Sequence, residues 1–219
     1  MTHKMIEKEV LAAISEIAQS FKNTGLMLNE RYLHHLFSHL IQEKHHSLDL
    51  TDNRKEILLH PEWPTYKKQT NILFGKYRGD NGKYRPNRDG TAGFIDFAIG
   101  NYSHPEIGIE FTLKFGWSNE EIIYDFLKLL DTRNPFRTSI SLNFILRHSR
   151  LVKGKSLENL EKHMNDAFKE AVSRLDGTID NSRKLYFIIV ELDRVNNRKI
   201  WIYNKNIGTF EIGLPVIYE

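Results

Sequence analysis

The sequence predicts an α/β fold: a mixed central β-sheet flanked by helices and preceded by an N-terminal helical pair. Three features carry that expectation. Residues 93–99 and 107–115 are β-rich runs about a turn-like loop, GNYSHPE. Residues 185–192, LYFIIVEL, are apolar enough for a strand buried on both faces. Helical patterns at 4–21, 30–44, after Ser118 and at 156–176 alternate with strand patterns, the arrangement that crossover connections in a partly parallel sheet require.

In order along the chain, residues 4–21 place Val10, Ala13, Ile14, Ile17 and Phe21 on one helical stripe, and Lys22-Asn23-Thr24-Gly25 ends it. Asn29 is placed to N-cap a second helix, Glu30 to about Lys44, with Tyr32 or Leu33, Leu36, Phe37, Leu40 and Ile41 inward. Residues 47–70 read as irregular, since Pro61 and Pro64 break any long element, and 71–78, NILFGKYR, reads as the first strand of the sheet. Ser118-Asn119-Glu120-Glu121 is a capping box opening a helix with Ile122, Ile123, Phe126, Leu127 and Leu130 at amphipathic spacing. Residues 139–147 alternate Ile140, Leu142, Phe144 and Leu146 with polar partners, the pattern of a half-buried strand. A helix over 156–176 stops at Gly177, the strand 185–192 follows, and KIWIYN and IGTFEIGLPVIYE read as a closing hairpin or edge. The division is one domain: helices in 1–46, an α/β core over 71–192 and closing strands in 198–219.

With 219 residues, 40% of them hydrophobic, the chain can bury a sizeable core. Its 31 basic and 28 acidic residues leave a net charge of only +3, so any nucleic-acid contact must come from local patches. The absence of cysteine excludes disulfides, Cys-ligated zinc and iron–sulfur clusters and suits a reducing, cytoplasmic setting. No signal-peptide pattern and no apolar run of about 20 residues is visible, so a soluble chain with no membrane partner is expected.

Chemistry concentrates in the hairpin. Side chains alternate faces along a strand, so Phe94, Asp96 and Ala98 share one face of the first run, and Glu110, Thr112 and Lys114 share one face of the second. Closure about Ser103 makes paired residue numbers sum to 206 and sets Asp96 opposite Glu110. Like charges directly opposed destabilise a sheet pair. A divalent cation, Mg²⁺ (or Mn²⁺), offsets that cost; a solvated polar face with chance pairing is the plain alternative.

Before the hairpin, a run interleaves cations with aromatics about an Asn81-Gly82 turn: Lys76, Tyr77, Arg78, Lys83, Tyr84, Arg85 and Arg88. Its basic residues can meet phosphates and its tyrosines can stack on bases or ribose, although a solvated loop is the ordinary reading of such a run. His34, His35 and His39 lie on the second helix. His35 and His39, four apart, could share a metal, but without a third spaced ligand they read as surface or half-buried histidines.

An Asp on one strand and a Glu with a following Lys on the next, then a helix and a strand, resembles the restriction-endonuclease-like (PD-(D/E)XK) nuclease superfamily. The resemblance implies an αβββαβ core and a metal-dependent nuclease hydrolysing phosphodiester bonds, DNA foremost, of restriction, defence or repair type. It implies Asp96, Glu110 and the Phe111 carbonyl as metal ligands, with Glu30 as the helix glutamate that completes the site; helix-dipole placement explains Glu30 equally well. It also implies a catalytic lysine. The motif position for that lysine, two residues after Glu110, holds Thr112, leaving Lys114 as the cation and Thr112 as a water-orienting hydroxyl. The Glu110–Lys114 Cα separation on a regular strand is about 13 Å, against roughly 7 Å for the usual spacing. That departure keeps a second reading open: an inactive nuclease-like fold that binds nucleic acid or protein. A homodimer would suit cleavage of two strands, but no residue speaks to it.

Overall fold

The protein's computed structural model describes residues 3–20, 29–44, 58–65, 75–113, 119–147, 157–176, 179–193, 198–206 and 216–218. In chain order these form α1 (His3–Ser20), α2 (Glu30–Lys44), β1 (Leu59–Pro64), β2 (Lys76–Asp80), β3 (Lys83–Pro86), β4 (Thr91–Ala92), β5 (Phe94–Asn101) and β6 (His104–Leu113). They continue with α3 (Asn119–Leu130), β7 (Thr138–Arg147), α4 (Leu157–Arg174), β8 (Lys184–Asp193), β9 (Arg198–Asn206) and β10 (Val216–Tyr218). Seven strands make one mixed sheet in the order β1-β5-β6-β7-β8-β9-β10. β1, β5 and β6 are an antiparallel meander, and β6–β7 and β7–β8 are parallel. The parallel neighbours are those joined through α3 and α4, because a parallel strand is reached only by a crossover.

Helices cover both faces. On one, Val10, Ile14 and Ile17 of α1 and Leu33, Phe37 and Ile41 of α2 pack with Phe97, Ile109, Phe111, Leu142 and Ile188 of the strands. On the other, Ile123, Phe126 and Leu127 of α3 and Met164, Phe168 and Ala171 of α4 pack with Leu185, Phe187 and Ile189. The alternation expected for β7 holds, but its polar set is not solvated. Ser139, Ser141 and Asn143 are buried, and Ser139 Oγ donates to the Leu129 carbonyl at 2.7 Å. The α3 face of the sheet is therefore polar beside Glu110 and Thr112, which pair in register with Ser141 and Asn143.

The first strand differs from expectation. It is Leu59–Pro64, inside the stretch read as irregular, and it pairs with β5 from Leu59↔Ile99 to Pro64↔Phe94. Its prolines fit because β1 is an edge strand, where a missing ladder donor faces no neighbour. Residues 76–78 of the expected strand instead open β2 of a separate sheet ordered β3-β2-β4, and 71–74 lie outside the described residues. That small sheet is an insertion between β1 and β5. Buried Thr65 clasps its base: the hydroxyl donates to the Gly75 carbonyl at 2.6 Å and accepts the Gly93 amide at 2.8 Å.

Trp63 anchors β1: it is 1% exposed, packs edge-on against Phe136 at 5.4 Å and donates its indole N–H to the Tyr102 carbonyl at 3.0 Å. Trp63→Ala should cost about 3–5 kcal/mol in urea-unfolding free energy, whereas a substitution in an irregular loop would cost well under 1 kcal/mol.

Candidate active site

The hairpin register is as the sequence reads it near the site. Phe97↔Ile109, Ala98↔Gly108 and Ile99↔Ile107 all sum to 206, and a shift after Ile99 tightens the turn. Gly100 takes the positive φ of 125° there, open to glycine at little cost. Continuing the register sets Asp96 against Glu110, but no ladder pair forms below Phe97↔Ile109. Here β5 and β6 part, and side chains take over the freed amides of β6. Asp96 Oδ2 accepts the Phe111 N–H at 2.7 Å, and Glu30 Oε2, from the first turn of α2, accepts the Leu113 N–H at 3.2 Å. Glu30 thus reaches the site strand. A strand residue points its N–H and C=O to the same side, so the Phe111 carbonyl also faces this gap.

On its other side Asp96 meets β1. Pairs Pro61↔Phe97 and Trp63↔Ile95 bracket it, leaving Glu62 opposite. Glu62 has φ of 50°, a left-handed conformation uncommon outside glycine and of the kind that clusters at functional sites. One turn of α2 beyond Glu30 stands His34, its ring edge-on to Phe97 at 5.2 Å and Phe111 at 5.1 Å. Its Nε2 is buried, has no hydrogen-bond partner among the described residues and lies 3.8 Å from Asp96 Oδ2. Ligand atoms of His34, Glu62 and Asp96 all lie within 4.8 Å of one another, a spacing three ligands of one cation can adopt. The donor set fits such an ion: among the described residues the His34 Nε2 has no hydrogen-bond partner, and Glu62 and Asp96 add carboxylate oxygens.

Beyond Asp96 lies Glu110, 3% exposed, with Lys128 of α3 at 2.6 Å; the same ammonium is 3.2 Å from Asp125 and donates to the Phe94 carbonyl at 2.9 Å. Gly93 leaves room for the lysine stem, since a Cβ there would meet Lys128 Cδ at 2.9 Å. Thr112 is buried, and its hydroxyl donates to Asp125 at 3.4 Å. Burial drives the Glu110 pKa well up, against the pull of Lys128. Burial likewise raises Asp96, opposed by the Phe111 amide and by His34. For Lys128, burial opposes the charge, but attraction to Glu110 and Asp125 outweighs it and holds the pKa above the ordinary lysine value.

No family model, curated protein or solved structure matches this chain. The site therefore has to be read from its own atoms. Of the residues singled out from sequence, Asp96, Glu110, Thr112, Phe111 and Glu30 gather on or beside the end of β6; Lys114 lies outside the described residues. His34, Glu62, Asp125 and Lys128 were not anticipated as site residues. Two had signals: His34 follows Glu30 by one helical turn, and Lys128 interrupts an otherwise apolar face. His35 is exposed, and His39 pairs with exposed Glu43 at 3.2 Å.

The basic run behaves differently from its sequence reading at two positions. Tyr77 is a core residue, 2% exposed, so it is not offered to a base; its hydroxyl accepts from Asn134 and donates to the Leu127 carbonyl. Tyr84 is half-buried and stacks on Tyr124 at 4.1 Å, a ring that in turn lies 4.8 Å from the Lys128 ammonium. Lys76 is half-buried, whereas Arg78, Lys83, Arg85 and Arg88 are exposed, with Arg78 paired to Asp80 at 3.1 Å.

The raised Asp96 pKa has a consequence for stability. A carboxyl that binds its proton more tightly folded than unfolded stabilises the fold at low pH, and that contribution is lost as pH rises through the folded value. In EDTA, Asp96→Asn should therefore raise the melting temperature relative to wild type at pH 8, and the gain should vanish below pH about 4, the ordinary carboxylate range. An equal gain at both pH values would refute the burial of that charge.

Proposed function

We propose that this protein is a metal-dependent phosphodiesterase acting on nucleic acid, with a restriction-endonuclease-like core. The observation that carries the reading is the set His34, Glu62 and Asp96, with converging ligand atoms, beside the buried Glu110–Lys128 pair. The element order α2-β1-β5-β6-α3-β7, with β1-β5-β6-β7 adjacent in the sheet, supports the αβββαβ core once β2–β4 is set aside as an insertion.

His34, Glu62 and Asp96 would hold one divalent ion, with Glu110 and the Phe111 carbonyl adjoining. Such an ion lowers the pKa of a ligated water and offsets charge on a scissile phosphate. An imidazole ligand suits Mn²⁺ better than the all-oxygen preference of Mg²⁺, so Mn²⁺ is the favoured of the two. Lys128 takes the cationic role in place of Lys114. With its pKa held above the ordinary value it keeps its proton near neutral pH. It therefore acts as a fixed positive charge toward a developing oxyanion and not as the base.

One observation favours a binding-only reading: Glu110 is already neutralised by Lys128 at 2.6 Å. Calorimetry and cleavage separate the two. Mn²⁺ should bind wild type and support plasmid nicking more strongly than Mg²⁺, and His34→Ala should weaken Mn²⁺ binding by at least tenfold. Lys128→Met should lower kcat by about 10²–10³ while retaining Mn²⁺ binding, and Lys114→Met should change it less than threefold. Mn²⁺ binding without cutting, at any pH, would leave the binding-only reading standing.

A further inference from the structure

The insertion has two faces. On β3, Tyr84 and Pro86 are half-buried, while Lys83 and Arg85 alternate with them and are exposed. Tyr84 seats the strand on Tyr124 of α3, and buried Arg174 of α4 ties it down by donating to the Tyr84 carbonyl at 3.0 Å. The opposite, basic face looks into a cleft of about 710 Å³ between β3, the end of α4 and the turn after α3. Lys83, Arg85, Arg88, Arg133, Thr132 and Ser173 line it.

Of the three acids lining this cleft, Asp131 and Glu170 are paired and Asp176 is exposed. Arg133 chelates Asp131 through Nε and Nη2, with contacts from 2.6 to 3.1 Å, and Arg174 holds Glu170 at 2.9 Å. Among the described residues, Arg133 Nη1, Arg85 and Arg88 carry no such pairing. Arg85 also faces Arg78 across the ribbon, a like-charge pair that a bound polyanion would relieve. The cleft opens just beyond the last turn of α3, the turn that carries Lys128.

We infer that this cleft holds the phosphodiester backbone of the substrate strand, a few nucleotides from the scissile bond, so that capture and chemistry reside on separate elements. Arg85 and Arg88 supply charge, Arg133 Nη1 supplies a further N–H donor, and Thr132 and Ser173 supply hydroxyls to phosphate oxygens. The identity of the ligand rests on the phosphodiesterase reading; the anionic character of the ligand does not.

The test uses the full chain carrying Arg85→Glu and Arg88→Glu, both exposed and outside the metal site. Anisotropy of a labelled oligonucleotide in EDTA should show at least tenfold weaker binding, and a salt slope flatter by about 1 to 2 over roughly 50–200 mM. Mn²⁺ affinity and hydrolysis of bis(p-nitrophenyl) phosphate should match wild type. Unchanged oligonucleotide affinity overturns the inference. So does a nucleoside triphosphate that displaces the oligonucleotide at equal or lower concentration, because the cleft would then take a free polyphosphate. A wild type that cleaves neither substrate overturns the phosphodiesterase reading, while the anisotropy result still decides whether the cleft captures a strand.

Discussion

A buried ammonium joins α3 to the central sheet. Lys128 reaches from α3 to the end of β6 and meets Glu110 where both are almost wholly excluded from water. A buried ion pair of this kind is weak evidence of stability for its own sake, because desolvation consumes most of the attraction; removing one partner nevertheless costs about 3–5 kcal/mol. Its placement therefore makes more sense as positioning. The pair fixes the register of α3 against the sheet, and it fixes a positive charge beside Asp96.

The neighbouring carboxylates are explained by strand geometry. β5 and β6 separate below Phe97↔Ile109, and the amides of Phe111 and Leu113 lose their ladder partners. Unpaired amides in a half-buried setting need acceptors. Asp96 and Glu30 provide them, so each acidic side chain has a structural task as well as a place near the His34 nitrogen. That double use separates the site from a chance acidic cluster. The carboxylates are oriented by backbone amides, and the imidazole is wedged between Phe97 and Phe111 with its Nε2 unbonded. Rigid supports for unsatisfied groups are what a binding centre needs and what a solvated surface lacks.

The parts of this arrangement legible in the sequence were those with local periodicity. The four helices, the hairpin register from Phe97↔Ile109 to Ile99↔Ile107 and the strands β7 and β8 follow from spacing and turn chemistry that survive tertiary packing. β1 was hidden because its prolines at 61 and 64 are the usual mark of a loop, and only the knowledge that it lies at a sheet edge makes them admissible. Glu62 was lost with it. Lys128 was hidden for a different reason: on a helical wheel a lysine at the border of an apolar face reads as snorkelling to solvent, and nothing local says that Glu110 waits there. Tyr77 was misplaced because aromatic and basic residues alternate along β2 and β3 for packing as well as for binding.

The insertion is attached to the main sheet without disturbing its strand pairing. β2–β4 leaves and rejoins the main sheet at Thr65 and Gly93, whose mutual hydrogen bonds close the gap, so β1 and β5 remain neighbours as if nothing stood between them. Asn134 then locks the insertion to the end of α3 through the Gly75 amide, the Tyr77 hydroxyl and the Lys128 carbonyl. The backbone of Lys128 is thus held by the network that seats the insertion, while its side chain is held by Glu110 and Asp125. The insertion and the ammonium also meet at one ring: Tyr84 stacks on Tyr124, and Tyr124 lies 4.8 Å from the Lys128 ammonium. The seating of β3 and the position of Lys128 therefore both depend on one short length of α3, from Tyr124 to Lys128.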